Sequence, residues 1–164
     1  LKTTDFILTE IVEKRLAKQV SLATIAGFEH LTTLLAEIVL KVDMLEPAEF
    51  RMKELWKWHA AEEIEHSSLA FIYLQKINNS YWLRVVGGVL GAAIVVSFIA
   101  IGMLLLVLQE RYFFSWKTLI DLNKLLFTKY KLIPYSLKPF FEYFNFKFDS
   151  CNKDVYHLAE KVFI

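Results

Sequence analysis

The stretch Trp58-His59-Ala60-Ala61-Glu62-Glu63-Ile64-Glu65-His66 places two imidazoles and three carboxylates in less than three helical turns. At 100° per residue, His59, Glu63 and His66 fall within about 60° of one another, and Glu62 lies at the edge of that arc. Imidazoles and carboxylates converging on one helix face have a metal cation as their common partner. A purely solvated face is better served by Lys and Glu. Glu65 lies about 100° from His66 and is expected in solvent.

The surrounding chain supports a helical reading. Five Gly and three Pro are spread over 164 residues, and four of those Gly sit in one apolar segment, so turn residues are scarce. No strand alternation, hairpin dipeptide or internal repeat interrupts the helical periodicity. A first helical stretch is expected from Thr4 to Val42, capped by Thr4-Asp5, with a weak point near Gln19–Ser21. Ile7, Ile11, Leu16 and Val20 form a loose stripe; Leu31, Leu34, Leu35, Ile38 and Val39 form a denser one. A second stretch should open at Glu46-Pro47, with Pro in the first turn, and run to Ile77, where Asn78-Asn79-Ser80 stops it.

Hydrophobic residues make up 55% of the chain, too many for an ordinary soluble domain. Val85–Leu108 carries no charge over 24 residues, longer than the about 20 needed to cross a bilayer core of about 30 Å. Tyr81, Trp82 and Arg84 flank one end, and Glu110, Arg111, Tyr112 and Trp116 the other, in the manner of interfacial anchors. Gly87/Gly91, Gly88/Ala92 and Ala93/Ser97 repeat small residues four apart, which permits close helix contact. The competing reading is the central helix of a globular bundle. Gly102 is a weak signal for a bend, so a single span and a re-entrant hairpin both remain open.

After the apolar segment, Trp116–Tyr130 reads as an amphipathic helix. Breaks are expected at Ile133-Pro134 and Lys138-Pro139, and Asn152–Phe163 reads as a closing helix. Lys among Phe and Tyr suits a membrane interface. Residues 1–83 hold nine Lys/Arg against twelve Asp/Glu, and residues 111–164 nine against five. A single span would therefore leave the C-terminal end on the cytoplasmic or matrix side. Net charge is +1, so nucleic acid is not an expected partner. The single cysteine, Cys151, excludes an intramolecular disulfide. The chain opens on Leu1 rather than Met, as a processed or partial chain does.

A metal site in a bundle needs donors from at least two helices, and di-metal carboxylate bundles pair Glu-x-x-His on one helix with Glu on another. Glu63-Ile64-Glu65-His66 has that form. Glu29, in the most apolar part of the preceding stretch, is the second source, because an unpaired carboxylate there is unfavourable without a cation, a donor or a proton. The expected metal ligands are thus Glu29, His59, Glu63 and His66 around one interhelical space. Plainer readings exist for each. His59 alone suits a half-exposed helix surface, Glu29-His30 a buried hydrogen-bonded pair, and Glu37 with Lys41 an ordinary surface pair. His157-Leu158-Ala159-Glu160 repeats the spacing near the chain end and reads as surface.

Glu29-His30-Leu31-Thr32, the nine-residue run from Trp58 to His66, and Ala70-Phe71 together resemble the bacterial family labelled predicted metal-dependent hydrolases. The apolar segment and the aromatic, Pro-containing tail follow in the same order. The resemblance implies an all-α fold: half of a ferritin-like bundle (1–83), a transmembrane or membrane-embedded helix (84–110) and an interfacial aromatic tail (111–164). Family members carry an earlier helix with Gln-Glu-x-x-His-x-x-x-His, which has no counterpart here, so the chain is expected to begin after it. Phe146-Lys147-Phe148-Asp149 stands where the family has Phe-His-Pro-Trp-Asp.

Three functions compete on these grounds. The first is a membrane-associated di-metal enzyme, a hydrolase or a di-iron oxidase, holding iron, manganese or zinc, with Glu62 as general base or as a hydrogen-bonding support to the ligands. The second is a non-catalytic membrane subunit retaining a degenerate metal-site helix. The third is a lipid-binding bundle without metal. The expected partners are membrane lipids and either other proteins or further copies of the chain. The expected location is a bacterial inner membrane or the mitochondrial inner membrane.

Overall fold

The computed structural model describes residues 18–42, 44–46, 48–109, 115–150 and 155–163, and among them there are helices and no strand. They are α1 (Lys18–Lys41), α2 (Phe50–His66), α3 (Leu69–Ile77), α4 (Tyr81–Gln109), α5 (Trp116–Asn123), α6 (Leu132–Glu142) and α7 (Tyr156–Phe163). One π-helical turn, Lys124–Thr128, follows α5. The cap at Thr4-Asp5 and the loose stripe from Ile7 to Leu16 lie outside the described residues, as do Pro47, the Glu110–Tyr112 flank and Cys151.

Helix α1 is the hub. It packs against α4, α2, α3, α6 and α7. Its buried residues include Ala23, Ala26, Gly27, Leu31, Leu34 and Ile38, so it is covered on several sides rather than along one stripe. The small residues at its N-terminal half allow a close approach to α4. A Cβ placed on Gly27 would lie 2.6 Å from the Gly87 carbonyl oxygen and from Gly88 Cα, and one on Gly91 would meet the backbone of Gly27 and Phe28. The glycine face of α4 is therefore filled by α1. The spacing was legible; the identity of the neighbour was not. α1 runs unbroken through Ser21, and α4 unbroken through Gly102.

Three apolar clusters surround α1. Ala23, Ala26, Ala70, Phe71, Leu74 and Tyr143 join α1 to α3 and to the turn after α6. Ala36, Ala60, Ala61, Ile64, Val155 and Ala159 join it to α2 and α7. Leu31, Leu34 and Val95 join it to α4. Ile64 and Leu74 are among the largest fully buried side chains, each contributing about 1.5–3 kcal/mol through burial.

Four expected boundaries move. α2 begins at Phe50, not at Glu46-Pro47, because the Glu49 carboxylate accepts the free N–H groups of Arg51 (3.1 Å) and Met52 (3.4 Å). The stretch to Ile77 is two helices, broken at Ser67-Ser68. The Pro134 break does not occur: Pro134 lies in the first turn of α6, where a missing N–H removes no helical bond. Pro139 is also inside α6.

Two helices, α1 and α4, are long and apolar enough to cross a membrane. They differ in cover. α1 has a mean hydropathy of 1.3 and is 56% buried over its most apolar window, whereas α4 has 2.8 and is 11% buried. α1 is thus the core helix. Away from its glycine face, α4 exposes Val89, Val96, Ile101, Leu104, Leu105, Leu106 and Leu108. Trp116, Phe127, Phe141 and Phe146 extend the exposed apolar surface along the tail.

Replacing Gly27 by Val is expected to lower stability by about 1–3 kcal/mol or more through overpacking against the α4 backbone. Gly102 has nothing within 4 Å of an added Cβ, so Gly102→Ala should be neutral or stabilising by up to about 1 kcal/mol. Thermal unfolding in detergent reads both; equal effects would contradict the α1–α4 packing.

Candidate functional site

Residue Glu29 lies at the middle of α1, two residues beyond the glycine contact, and Glu63 and His66 occupy the last turn of α2. Thr33 fixes the two helices against each other. Its Oγ1 contacts both the Glu29 carbonyl oxygen (2.7 Å) and the Glu63 carbonyl oxygen (3.3 Å). The result is a cavity of about 760 Å³ shared by α1, α2 and α4. Glu29, Glu63 and His66 form part of its polar wall; Phe28, Val95, Phe98 and Ile99 form part of its apolar wall.

His59 does not line that cavity. With Glu63 and Trp56 it lines a neighbouring one of about 160 Å³. Its Nε2 is 3.8 Å from Glu63 Oε1, too long for a hydrogen bond, and its ring meets Trp56 edge-on at 5.9 Å. The single space expected for Glu29, His59, Glu63 and His66 is therefore divided in two, with Glu63 on both sides. The reason is that His59 lies a full turn before Glu63 and reaches toward Trp56 and the C-terminal half of α1. Glu62, the expected general base, is half-buried and lines neither cavity. Glu65 is exposed, as its phase required, and so are His59, His66, His157 and Glu160.

The Glu29 carboxylate has a partner that composition and spacing do not reveal. Its Oε2 accepts the N–H of Ala70 at 3.1 Å. Ala70 lies in the first turn of α3, where backbone N–H groups have no helical acceptor. The break at Ser67-Ser68 creates that free N–H, and Glu29 takes it. Burial nevertheless dominates and pushes the Glu29 carboxyl above its ordinary range. The Ala70 N–H and the nearby His66 pull the other way, and Glu63 adds to the rise.

His30, next in sequence, points elsewhere. It is buried, its Nε2 lies 3.2 Å from the Pro139 carbonyl oxygen, and its ring stacks on Tyr143 at 4.7 Å. Glu29 and His30 are thus not a hydrogen-bonded pair but two anchors on different sides of α1. Tyr143 itself is almost wholly buried, and burial pushes its hydroxyl far up. Only its place in the aromatic run 140–148 pointed to it.

Two carboxylates and an imidazole suit a divalent cation in kind. They do not close around one: among the described residues, no three or more His, Cys, Asp or Glu side chains are placed to hold an ion. A helical bundle with a carboxylate–imidazole wall facing an apolar one is the class that fold and site define. The chain belongs to the family described as predicted metal-dependent hydrolase, whose sequence model matches residues 2–154. No curated protein and no solved structure matches the chain. The family description implies a divalent metal without naming it.

A carboxyl raised by folding binds its proton more tightly in the folded chain than in the unfolded one. Its contribution to stability is complete below the unfolded value of about 4.3 and is lost as pH rises through the folded value. Glu29→Gln keeps an acceptor for Ala70 and removes this titration. From about pH 4 to about pH 8, the wild-type chain should lose stability relative to Glu29→Gln, measured by denaturant unfolding in detergent. Parallel curves would exclude a raised Glu29.

Proposed function

We propose that this chain is a membrane-associated, metal-dependent hydrolase whose reactive site is the cavity walled by Glu29, Glu63 and His66. The supporting observation is the pairing of those three side chains with an apolar wall from α1 and α4 in one space of about 760 Å³. That pairing suits an amphiphile, with its reacting carbonyl against the polar wall and its chain along Phe28, Val95, Phe98 and Ile99. α1 and α2 serve as the carboxylate–histidine half of a ferritin-like bundle. α4 serves as the membrane helix: at 29 residues it is about 43 Å long, and its uncovered face is apolar.

The chain's own groups divide the proton work. Burial pushes the Glu29 carboxyl up, and a bound cation would release its proton and take the carboxylate as a ligand. Glu63 accepts the proton of the attacking water, and His66 orients it. Glu29, Glu63 and His66 would hold the ion, with His59 adjacent to Glu63; zinc, when bound, would supply a polarised water, whereas iron or manganese would suit oxidation. Donors beyond the described residues, from this chain or a neighbouring copy, complete the shell. The exposed aromatic tail is the surface such a neighbour covers.

A second reading has its own support. The described donors do not close on an ion, as in a non-catalytic membrane subunit that keeps a degenerate metal-site helix.

The protein, extracted from membranes with detergent, should carry divalent metal, and Glu63→Ala should lose most of it with the helical circular dichroism unchanged. A helical but metal-free wild-type protein would establish the second reading instead. Release from membranes by carbonate alone would remove the membrane assignment of α4.

A further inference from the structure

Arg84 was expected as an exposed interfacial flank of the apolar segment. It is instead one of the most buried charged groups among the described residues, with 4% of its surface exposed. Its phase explains this: Arg84 lies on the same stripe as Gly87, Gly88, Gly91 and Val95, the face that α4 buries. The guanidinium donates to the carbonyl oxygens of Asn145 (2.6 Å) and Phe148 (3.2 Å) and sits against the rings of Tyr81, Tyr143 and Phe148. Among the described residues its hydrogen-bond partners are thus carbonyls, not a carboxylate, and its Nε is buried without a hydrogen-bond partner. A guanidinium carries five N–H donors, and a buried cation without an anion is unfavourable unless something neutralises it.

A cavity of about 690 Å³ opens beside it, between the end of α3, the start of α4 and the turn after α6. Lys76, Arg84 and Lys147 line it against one acid, Asp149, and Gln75 and Asn79 add amides. Asn79, just before α4, and Tyr81, its first residue, line the same cavity. We propose that this cavity binds a phosphate group, with Arg84 at its floor and Lys76 and Lys147 at its rim. It is separate from the Glu29–Glu63–His66 cavity and stands whether or not that cavity hydrolyses anything.

The phosphate has two possible sources, a phospholipid headgroup or a soluble phosphate. Trp82 and Phe146 are exposed beside the cavity, at the end of the membrane-length helix, where headgroups lie.

The test uses the full chain in neutral detergent, followed by thermal unfolding. Three probes are compared: dihexanoyl phosphatidic acid, dihexanoyl phosphatidylcholine and inorganic phosphate. Arg84→Gln is the direct variant, but Arg84 also ties down the 145–148 turn. Lys76→Ala/Lys147→Ala changes only exposed side chains, and Lys117→Ala/Lys138→Ala removes the same charge elsewhere. Phosphatidic acid should raise the unfolding midpoint at least as much as phosphatidylcholine does. The Lys76/Lys147 variant should weaken that response about tenfold or more, and the Lys117/Lys138 variant should leave it intact. A matching response to inorganic phosphate identifies a soluble phosphate; a response confined to the phospholipids identifies a headgroup. No stabilisation by any of the probes, or an equal loss in both lysine pairs, would overturn the site.

Discussion

Ala23 and Gly27 of α1 lie against Gly87, Gly88 and Gly91 of α4, with no side chain larger than the Ala23 methyl at the Gly87 contact. That contact fixes most of the rest. It places the middle of α1 under α4, so the face of α1 carrying Phe28 and Glu29 must share a space with Val95 and Phe98. It also turns Arg84 inward, because Arg84 precedes the glycines on the same stripe. The aromatic turn after α6 then closes over Gly88, where an added Cβ would lie 2.6 Å from the Tyr143 ring. One approach of two glycine-bearing helices thus produces both an acidic cavity on one side and a cationic one on the other.

The Glu29 carboxylate is the point at which fold and chemistry meet. Burial raises the free energy of its charged form, and the chain answers with one hydrogen bond from Ala70. That bond requires α3 to start afresh after Ser67-Ser68, so the break between α2 and α3 and the titration of Glu29 are linked. A continuous helix would have engaged the Ala70 N–H internally and left Glu29 with no donor.

Much of this was legible in the residues. The phase of Glu63 and His66 put them on one face, and the apolar setting of Glu29 marked it as a group in need of a partner. The four-residue spacing of Gly87 and Gly91 announced a close helix contact. Hydropathy separated α4 from the other helices. What was not legible depended on tertiary neighbours. Nothing local says that the glycine face meets α1 rather than another chain, that His59 reaches toward Trp56, or that the acceptor for the Ala70 N–H comes from forty-one residues earlier. Arg84 was misread because a charge beside an apolar run suits an interface; its helical phase relative to Gly88 and Gly91 carried the correct signal. Pro134 was misread because a Pro in a first turn opposes no hydrogen bond.

The central claim is that Glu29, Glu63 and His66 act together on one divalent ion. X-ray absorption at the metal edge, on protein loaded with zinc and on His66→Ala treated alike, tests it most directly. The account predicts a mixed nitrogen–oxygen shell at about 2.0–2.2 Å, with an imidazole signature that weakens in His66→Ala. An all-oxygen shell, unchanged by that substitution, would contradict it.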